Sequence, residues 1–326
     1  MEKRYRAAIT AMRSDYSFQR ELKLLEKNGF DADVVPLDAT RDEERIISSM
    51  QEYEYILAGP ELWSRRVIEA LPKLRMIARL GTGTDAVDLD AAAERGVTVV
   101  NTPGANAGAV AQHTVALMLT LSSGICAGDR RVRRGEPGKS VGRELSGATV
   151  GLVGFGDIAQ RVAEMLTGFH AKVVASYRVT KDEAAAQRLG VELVSREKLL
   201  ACADYVSLHI PLTEETDKLA GREFFNAMKQ EAFFINTARA GIVDEAALHR
   251  ALAEKKLAGA GLDVYENASL FLDFDNVILT PYMAFSTREG MWAMTSRAIQ
   301  SVTEHMEGKK ISGSVCGQKN KKGELQ

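Results

Sequence analysis

Residues 149–166 read TVGLVGFGDIAQRVAEML, a short β-prone run that ends in glycines and opens directly into a helical pattern. Gly154, Gly156 and Ala159 supply the spacing G-x-G-x-x-A. Alone that spacing is weak evidence; after a strand and at the head of a helix it marks a dinucleotide-binding βαβ unit. Gly154 permits the tight turn, Gly156 lets the backbone approach a pyrophosphate, and Ala159 keeps the helix close to the strand. The N–H groups near Asp157 and Ile158 would point at the phosphates, since the first turn of a helix leaves its donors without intrahelical partners. A glycine turn of purely structural use is the alternative.

Strand and helix patterns alternate along the rest of the chain. In the first hundred residues the candidate strands are YRAAIT, ADVVP, YEYILA, LRMIARL and VTVV. Helical patterns lie between them, such as residues 18–28 closed by Gly29 and residues 88–95 closed by Gly96, with glycine in the left-handed cap position. A long helix is predicted over residues 106–123. A second series follows: TVGLVGFG, AKVVASY, VELV, DYVSLHI, AFFINTA, LAGAGLDVY and NVILTP. Strands alternating with helices require parallel sheets and βαβ crossovers, so two series predict two doubly wound α/β domains. The helix over residues 286–306 comes after the second series is complete and is expected to return to the first domain.

A chain of 326 residues accommodates two such domains. Its net charge of −2 and pI near 6.3 point to neither a nucleic-acid nor an acidic-membrane partner. Cys126, Cys202 and Cys316 are far apart and form no C-x-x-C, which argues against a disulfide framework or a metal site and suits a reducing, cytoplasmic setting. The N-terminus, MEKRYRAAIT, lacks the apolar segment of a signal peptide. The apolar stretch 110–128 is interrupted by Gln112, His113, Thr114 and Ser122, so it reads as a buried core helix rather than a membrane span. Residues 128–145, GDRRVRRGEPGKSVGREL, read as a solvated connecting arm. The last residues, CGQKNKKGELQ, are polar and expected to fray.

The end of the strand after the glycines bears on the cofactor. Enzymes that use NAD place an acid there to bind the ribose 2′-hydroxyl. Here the strand ends in Tyr177 and Arg178, with Lys181 nearby, and the first acid is Asp182. A guanidinium can pair with a 2′-phosphate that a carboxylate would repel, so NADP is favoured over NAD. An exposed turn residue beside the adenine is the other reading of Arg178. Three further polar residues follow later strands of the series: His209, Arg239 and Asp263. Singly they read as a core histidine, a surface cation and a turn former. Together with the glycines they fall on one edge of one sheet, where open α/β folds bind ligands.

With these motifs the chain resembles the D-isomer-specific 2-hydroxyacid dehydrogenase family. The resemblance spans about residues 79–287, and its carriers are GTGTDAVDLDAAAERGVTVVNTPGANAGAVAQHT, VGLVGFGDIAQ, LHIPLTEET and NTARAGIVDEAAL. The frame TPxxAFxT around Tyr282 is similar to the D-lactate branch. The resemblance implies a Rossmann nucleotide domain, residues 102–284, inserted into a discontinuous flavodoxin-like substrate domain, residues 1–101 and 285–326. It implies a homodimer built by residues 106–146. Arg239 would bind the carboxylate or carbonyl of a small-molecule substrate, with Thr82, Gly83, Thr84 and Asn106 contributing from the substrate domain. Asp263 would hold the nicotinamide carboxamide. Tyr177, Arg178, His209, Pro211, Thr216, Thr237 and Ala238 would line the cofactor together with Gly154, Gly156, Asp157, Ile158 and Arg239.

Two family positions differ. The family's Glu-Pro pair is replaced by Ala268 and Ser269, and the histidine of its Thr-Pro-His by Tyr282; the segment up to Asn276 is also shorter. A phenol with a pKa near 10 can act as an acid. It is a poor base unless a cation such as Arg239 lowers that value, so the site would favour reduction. Alternatively, the ring only fills space. Three readings follow. The first is an NADPH-dependent reductase of a small 2-oxo acid, or a related carbonyl or imine, in which Arg239 anchors the substrate and Tyr282 or water gives the proton. The second is a nucleotide-binding regulator without turnover. The third is a dehydrogenase whose substrate carries its own acid or base.

Overall fold

The computed structural model describes residues 4–10, 15–37, 40–139, 141–176 and 182–311, together with the backbone of residues 314–316. The chain forms two compact units, Met1–Asn106 with Arg288–Gln326, and Ala107–Thr287. In chain order the strands of the first unit begin with β1 (Tyr5–Thr10), β2 (Phe30–Val34), β3 (Tyr55–Ala58), β4 (Met76–Arg79) and β5 (Thr98–Val100). The second unit contributes β6 (Thr149–Val153), β7 (Lys172–Ser176), β8 (Glu192–Leu193), β9 (Tyr205–Leu208), β10 (Ala232–Asn236), β11 (Leu257–Leu262) and β12 (Val277–Leu279). The last strand, β13 (Ser314–Cys316), belongs to the first unit's sheet.

That first sheet has the order β13-β5-β4-β3-β1-β2. Strands β1 to β5 are parallel, and β3 and β4 are buried along their whole length, as expected of strands covered on both faces. The all-parallel expectation fails at one edge, where β13 pairs antiparallel with β5. An antiparallel edge strand needs no helical crossover, so no strand–helix alternation announces it. The rest of the C-terminal tail lies outside the described residues. The helix Arg288–Met306 packs in this unit: Thr295 donates to the buried Glu21 at 2.9 Å, and His305 stacks edge-on against Tyr55 at 5.6 Å.

The second sheet is parallel throughout, in the order β12-β11-β10-β9-β6-β7-β8. Chain direction across the sheet reverses between β6 and β9, and that switch point is where the glycine loop emerges. The helix Ala107–Ser123 lies close over this sheet because β11 carries glycines. A Cβ at Gly261 would sit 3.2 Å from Leu117 Cβ, and one at Gly259 would meet Leu121 at 3.4 Å and the Asn276 carbonyl oxygen at 2.4 Å. The arm predicted to be solvated begins as a helix, Ile125–Arg133, with no buried residue. Among the described residues no single helix is long and apolar enough to cross a membrane; the pair Ala107–Ser123 and Ile125–Arg133 reaches that length only together, across a 59° bend.

The backbone contact at Gly259 cannot give way as a flexible side chain could. Gly259→Ala is therefore expected to destabilise the chain by about 1–3 kcal/mol. Gly168→Ala is the control: that residue caps a helix in the right-handed region, at φ −65°, with its nearest contact at 3.7 Å, and its replacement should be neutral or slightly stabilising. Urea midpoints of the two variants check both outcomes.

Candidate active site at the carboxyl edge of the second sheet

After β6 the chain turns at Gly154, whose φ of +100° suits glycine and whose missing side chain leaves room for the next strand: a Cβ there would lie 2.3 Å from the His209 carbonyl oxygen. Gly156 then starts the helix Asp157–Thr167 with no side-chain cap, and the space a Cβ would fill at that residue is open. Asp157 is exposed and Ile158 half-buried in the first turn. Ala159 is fully buried, as close packing of helix on strand requires. Tyr177, Arg178 and Lys181 lie outside the described residues.

His209 follows β9, and its N–H donates to the Val153 carbonyl at 2.8 Å. Its Nε2 is buried and has no hydrogen-bond partner among the described residues. Burial pushes the imidazole pKa down to about 4, so the ring is neutral at pH 7. In the following loop Thr216 is buried and its hydroxyl is used locally, donating to the Pro211 carbonyl at 2.7 Å and accepting from the Thr213 N–H at 2.8 Å. Thr216 thus shapes the loop from within.

After β10 the residues 236–239 form a clamp. The fully buried Asn236 accepts from the Ala238 N–H at 3.0 Å through Oδ1 and donates to the Arg239 carbonyl at 2.9 Å through Nδ2. The half-buried Arg239 donates from Nη1 to the Ala238 carbonyl at 2.8 Å. Thr237 is buried, with its hydroxyl 3.0 Å from that of Thr114. Thr114 uses its own proton on the Val110 carbonyl at 2.8 Å, so Thr237 is the donor between them.

Asp263, at the end of β11, is 1% exposed. Its Oδ1 accepts from the Thr280 hydroxyl at 2.6 Å and from the Met283 N–H at 2.9 Å; its Oδ2 accepts from the Ala284 N–H at 2.9 Å. This is the turn-forming alternative realised in full. The turn holds Tyr282 at φ +52°, a left-handed conformation uncommon for an aromatic residue, with its N–H 3.0 Å from the Asp263 carbonyl. The half-buried phenol ring stands edge-on to Phe285 at 5.2 Å. His113 Nε2 approaches Thr280 Oγ1 at 3.0 Å and Asp263 Oδ1 at 3.6 Å. Nearby, the Glu245 carboxylate accepts from the Glu266 and Asn267 N–H groups at 2.6 and 3.0 Å, and Ala268 begins a 3₁₀ turn, Ala268–Leu270.

Four of the predicted residues lie in the first unit. The carbonyls of Thr82, Gly83 and Thr84 are engaged by Asn101 Nδ2 at 2.8 Å, Arg79 Nε at 3.2 Å and the Val87 N–H at 2.9 Å. Gly81, at φ +127°, turns the chain into that loop. Asn106 is half-buried at the end of the unit's first segment. Sequence reasoning missed Asn236, Thr280, Thr114 and His113 as parts of the second unit's edge. The adjacent polar pair His113-Thr114 in an apolar helix was the available signal.

A sequence model of the D-isomer specific 2-hydroxyacid dehydrogenase NAD-binding domain matches residues 115–284. The chain belongs to the D-isomer-specific 2-hydroxyacid dehydrogenase family. It is 35% identical over 305 residues to D-3-phosphoglycerate dehydrogenase of Archaeoglobus fulgidus, covering 91% of this chain but only 57% of that protein. It is 34% identical over 302 residues to glyoxylate reductase of Pyrococcus furiosus, covering 88% of this chain and 89% of the relative. Among solved structures, apo D-lactate dehydrogenase of Escherichia coli superposes with a TM-score of 0.82 at 29% identity, covering 95% and 99% of the two chains. The family's matched domain binds a nicotinamide cofactor, and the residues present here fit one: open space at Gly156, an uncapped helix start and the unpartnered Nε2 of His209.

The depressed pKa of His209 has a consequence for stability. The folded state disfavours the imidazolium, so between pH 6.5 and 4 the unfolded chain binds more protons. This contribution is complete above about pH 7 and is lost as pH falls, amounting to about 2–3 kcal/mol by pH 4.5. His209→Gln should flatten the dependence of the urea midpoint between pH 7 and 4.5. An unchanged slope would place the titration elsewhere.

Proposed function

We propose that the protein is an NAD(P)H-dependent reductase of a small 2-oxo acid, or of a related carbonyl or imine, giving the D-2-hydroxy or amino product. The observation that carries this reading is the turn on Asp263, which keeps Tyr282 in a left-handed conformation beside a strand end. Strain of this kind persists where surrounding contacts hold it, and it gathers at functional positions. The glyoxylate reductase among the relatives supports a 2-oxo acid as the substrate class.

The bound cofactor would supply a hydride to the carbonyl carbon, held by the glycine turn, the first turn of Asp157–Thr167, His209, Pro211, Thr237 and Ala238, with Asp263 toward the carboxamide. Arg239 attracts the substrate carboxylate and polarises the carbonyl; the Asn236 clamp on its backbone limits how far it can wander. The Tyr282 hydroxyl delivers the proton to the carbonyl oxygen, standing where the family carries its histidine. Thr82, Gly83, Thr84 and Asn106, in the first unit, are the further residues proposed to bind substrate. Arg178 favours NADP. A homodimer is supported by the helix Ile125–Arg133, which buries none of its residues and exposes Ile125 and Val132. A regulator without turnover is the second reading, favoured by Ala268 and Tyr282 at the family's glutamate and histidine positions.

Steady-state turnover on a panel of 2-oxo acids with NADPH and NADH separates the two, since a regulator gives none. Tyr282→Phe should lower the reduction rate by about a hundredfold, within the range for general acid catalysis, with cofactor affinity unchanged. A phenylalanine variant with full turnover would leave the ring as packing. In calorimetric titration NADPH should bind more tightly than NADH, and Arg178→Asp should reverse the order. Equal affinities in the unmodified chain would defeat the cofactor assignment.

A further inference from the structure

We propose that His113 is a positioning residue for this site, acting through Thr280 on Asp263 and hence on the turn that presents Tyr282. The catalytic part of the proposal rests on the reductase reading. The geometry of the three side chains stands apart from it.

Thr280 has a single hydroxyl proton, and it is directed at Asp263 Oδ1 over 2.6 Å. In its 3.0 Å contact with His113 Nε2 the hydroxyl must therefore accept, so the imidazole carries its proton on Nε2. The result is a directed chain: His113 N–H to Thr280 O–H to the Asp263 carboxylate. A hydroxyl that accepts a hydrogen bond becomes a stronger donor, so the imidazole tightens the Thr280–Asp263 bond. The same carboxylate oxygen takes the Met283 N–H, and its partner oxygen takes the Ala284 N–H. Orientation of this one group therefore sets the backbone path on either side of Tyr282.

His113 is half-buried on a helix whose buried residues, apart from Thr114 and Ser122, are alanine, valine, leucine and methionine. Packing alone would be served by another aliphatic residue. The next residue, Thr114, accepts from Thr237, which adjoins the Asn236–Arg239 clamp. Consecutive side chains of one helical turn thus brace both halves of the proposed chemistry, Arg239 through β10 and Tyr282 through β11 and β12.

The test uses the full chain with His113→Leu, which keeps apolar volume without the donor, His113→Gln, which restores an N–H, and Thr280→Val, which removes the link. Amide hydrogen exchange at Met283 and Ala284, measured without nucleotide, should accelerate about tenfold in the leucine and valine variants while β9 and β10 amides keep their rates. With NADPH and the best 2-oxo acid from the panel, kcat should fall about tenfold in both, with KM and nucleotide affinity within about twofold. Glutamine should stay within about threefold of the parent, and the Leu–Val double variant should be no worse than about twofold below either single one. Exchange unchanged at Met283 and Ala284, or accelerated evenly across the sheet, would overturn the proposal. So would a kcat loss without the local exchange change, or glutamine no better than leucine. If the parent turns over no 2-oxo acid, the reductase reading fails, and the exchange data still decide the role of His113.

Discussion

A carboxylate with almost no exposed surface is tolerated only where donors replace its water, and Asp263 obtains three from residues 280–284. The sheet register makes this possible. Leu262 of β11 pairs with Leu279 of β12, so the next residue of each strand, Asp263 and Thr280, leaves the sheet side by side. Pro281 has no N–H to offer, and the chain reaches the carboxylate again only through Met283 and Ala284. Tyr282 is caught between these contacts, with its own N–H on the Asp263 carbonyl, and its positive φ follows from that path.

The same edge depends on close approach elsewhere in the unit. The glycines of β11 admit Leu117 and Leu121, which brings the helix Ala107–Ser123 near enough for His113 and Thr114 to touch strand ends. At the switch point, Val153 of β6 is registered with Leu208 of β9, so Gly154 meets the His209 carbonyl without a side chain between them. Core packing and site geometry are therefore coupled: a methyl group added at Gly259 or Gly154 disturbs backbone that the site uses.

Much of this was legible because buried parallel strands are written as apolar runs. YRAAIT, AFFIN and LAGAGL announce β1, β10 and β11 from composition alone. Strand ends were read too long where the chain leaves the ladder for a local reason. TVGLVGFG stops at Val153 because Gly154 turns away at φ +100°, and LAGAGLDVY stops at Leu262 because Asp263 engages the next turn. The polar relays were not legible. His113 and Thr280 are 167 residues apart, and only the sheet register and a helix crossing bring them together. Asn236 falls inside the run AFFINTA, and nothing in its neighbours marks it as a clamp. The left-handed Tyr282 is illegible for the opposite reason, since local preference argues against it.

His209, Asp263 and Arg239 have different electrostatic surroundings at this edge. His209 is neutral at pH 7, because burial without a partner penalises its charged form. The Asp263 oxygens face hydroxyl and amide donors of its own turn, dipoles within hydrogen-bond distance. Arg239 is half-buried on a clamped backbone, with Nη1 on the Ala238 carbonyl. With Gly156 uncapped at the positive end of a helix, the fixed dipoles favour anions. The proposed ligands, a nucleotide and a carboxylate substrate, are both anionic and match that preference. An oxygen gaining negative charge is the partner that a hydroxyl donor beside such dipoles stabilises most, and that is the charge that develops when a carbonyl is reduced.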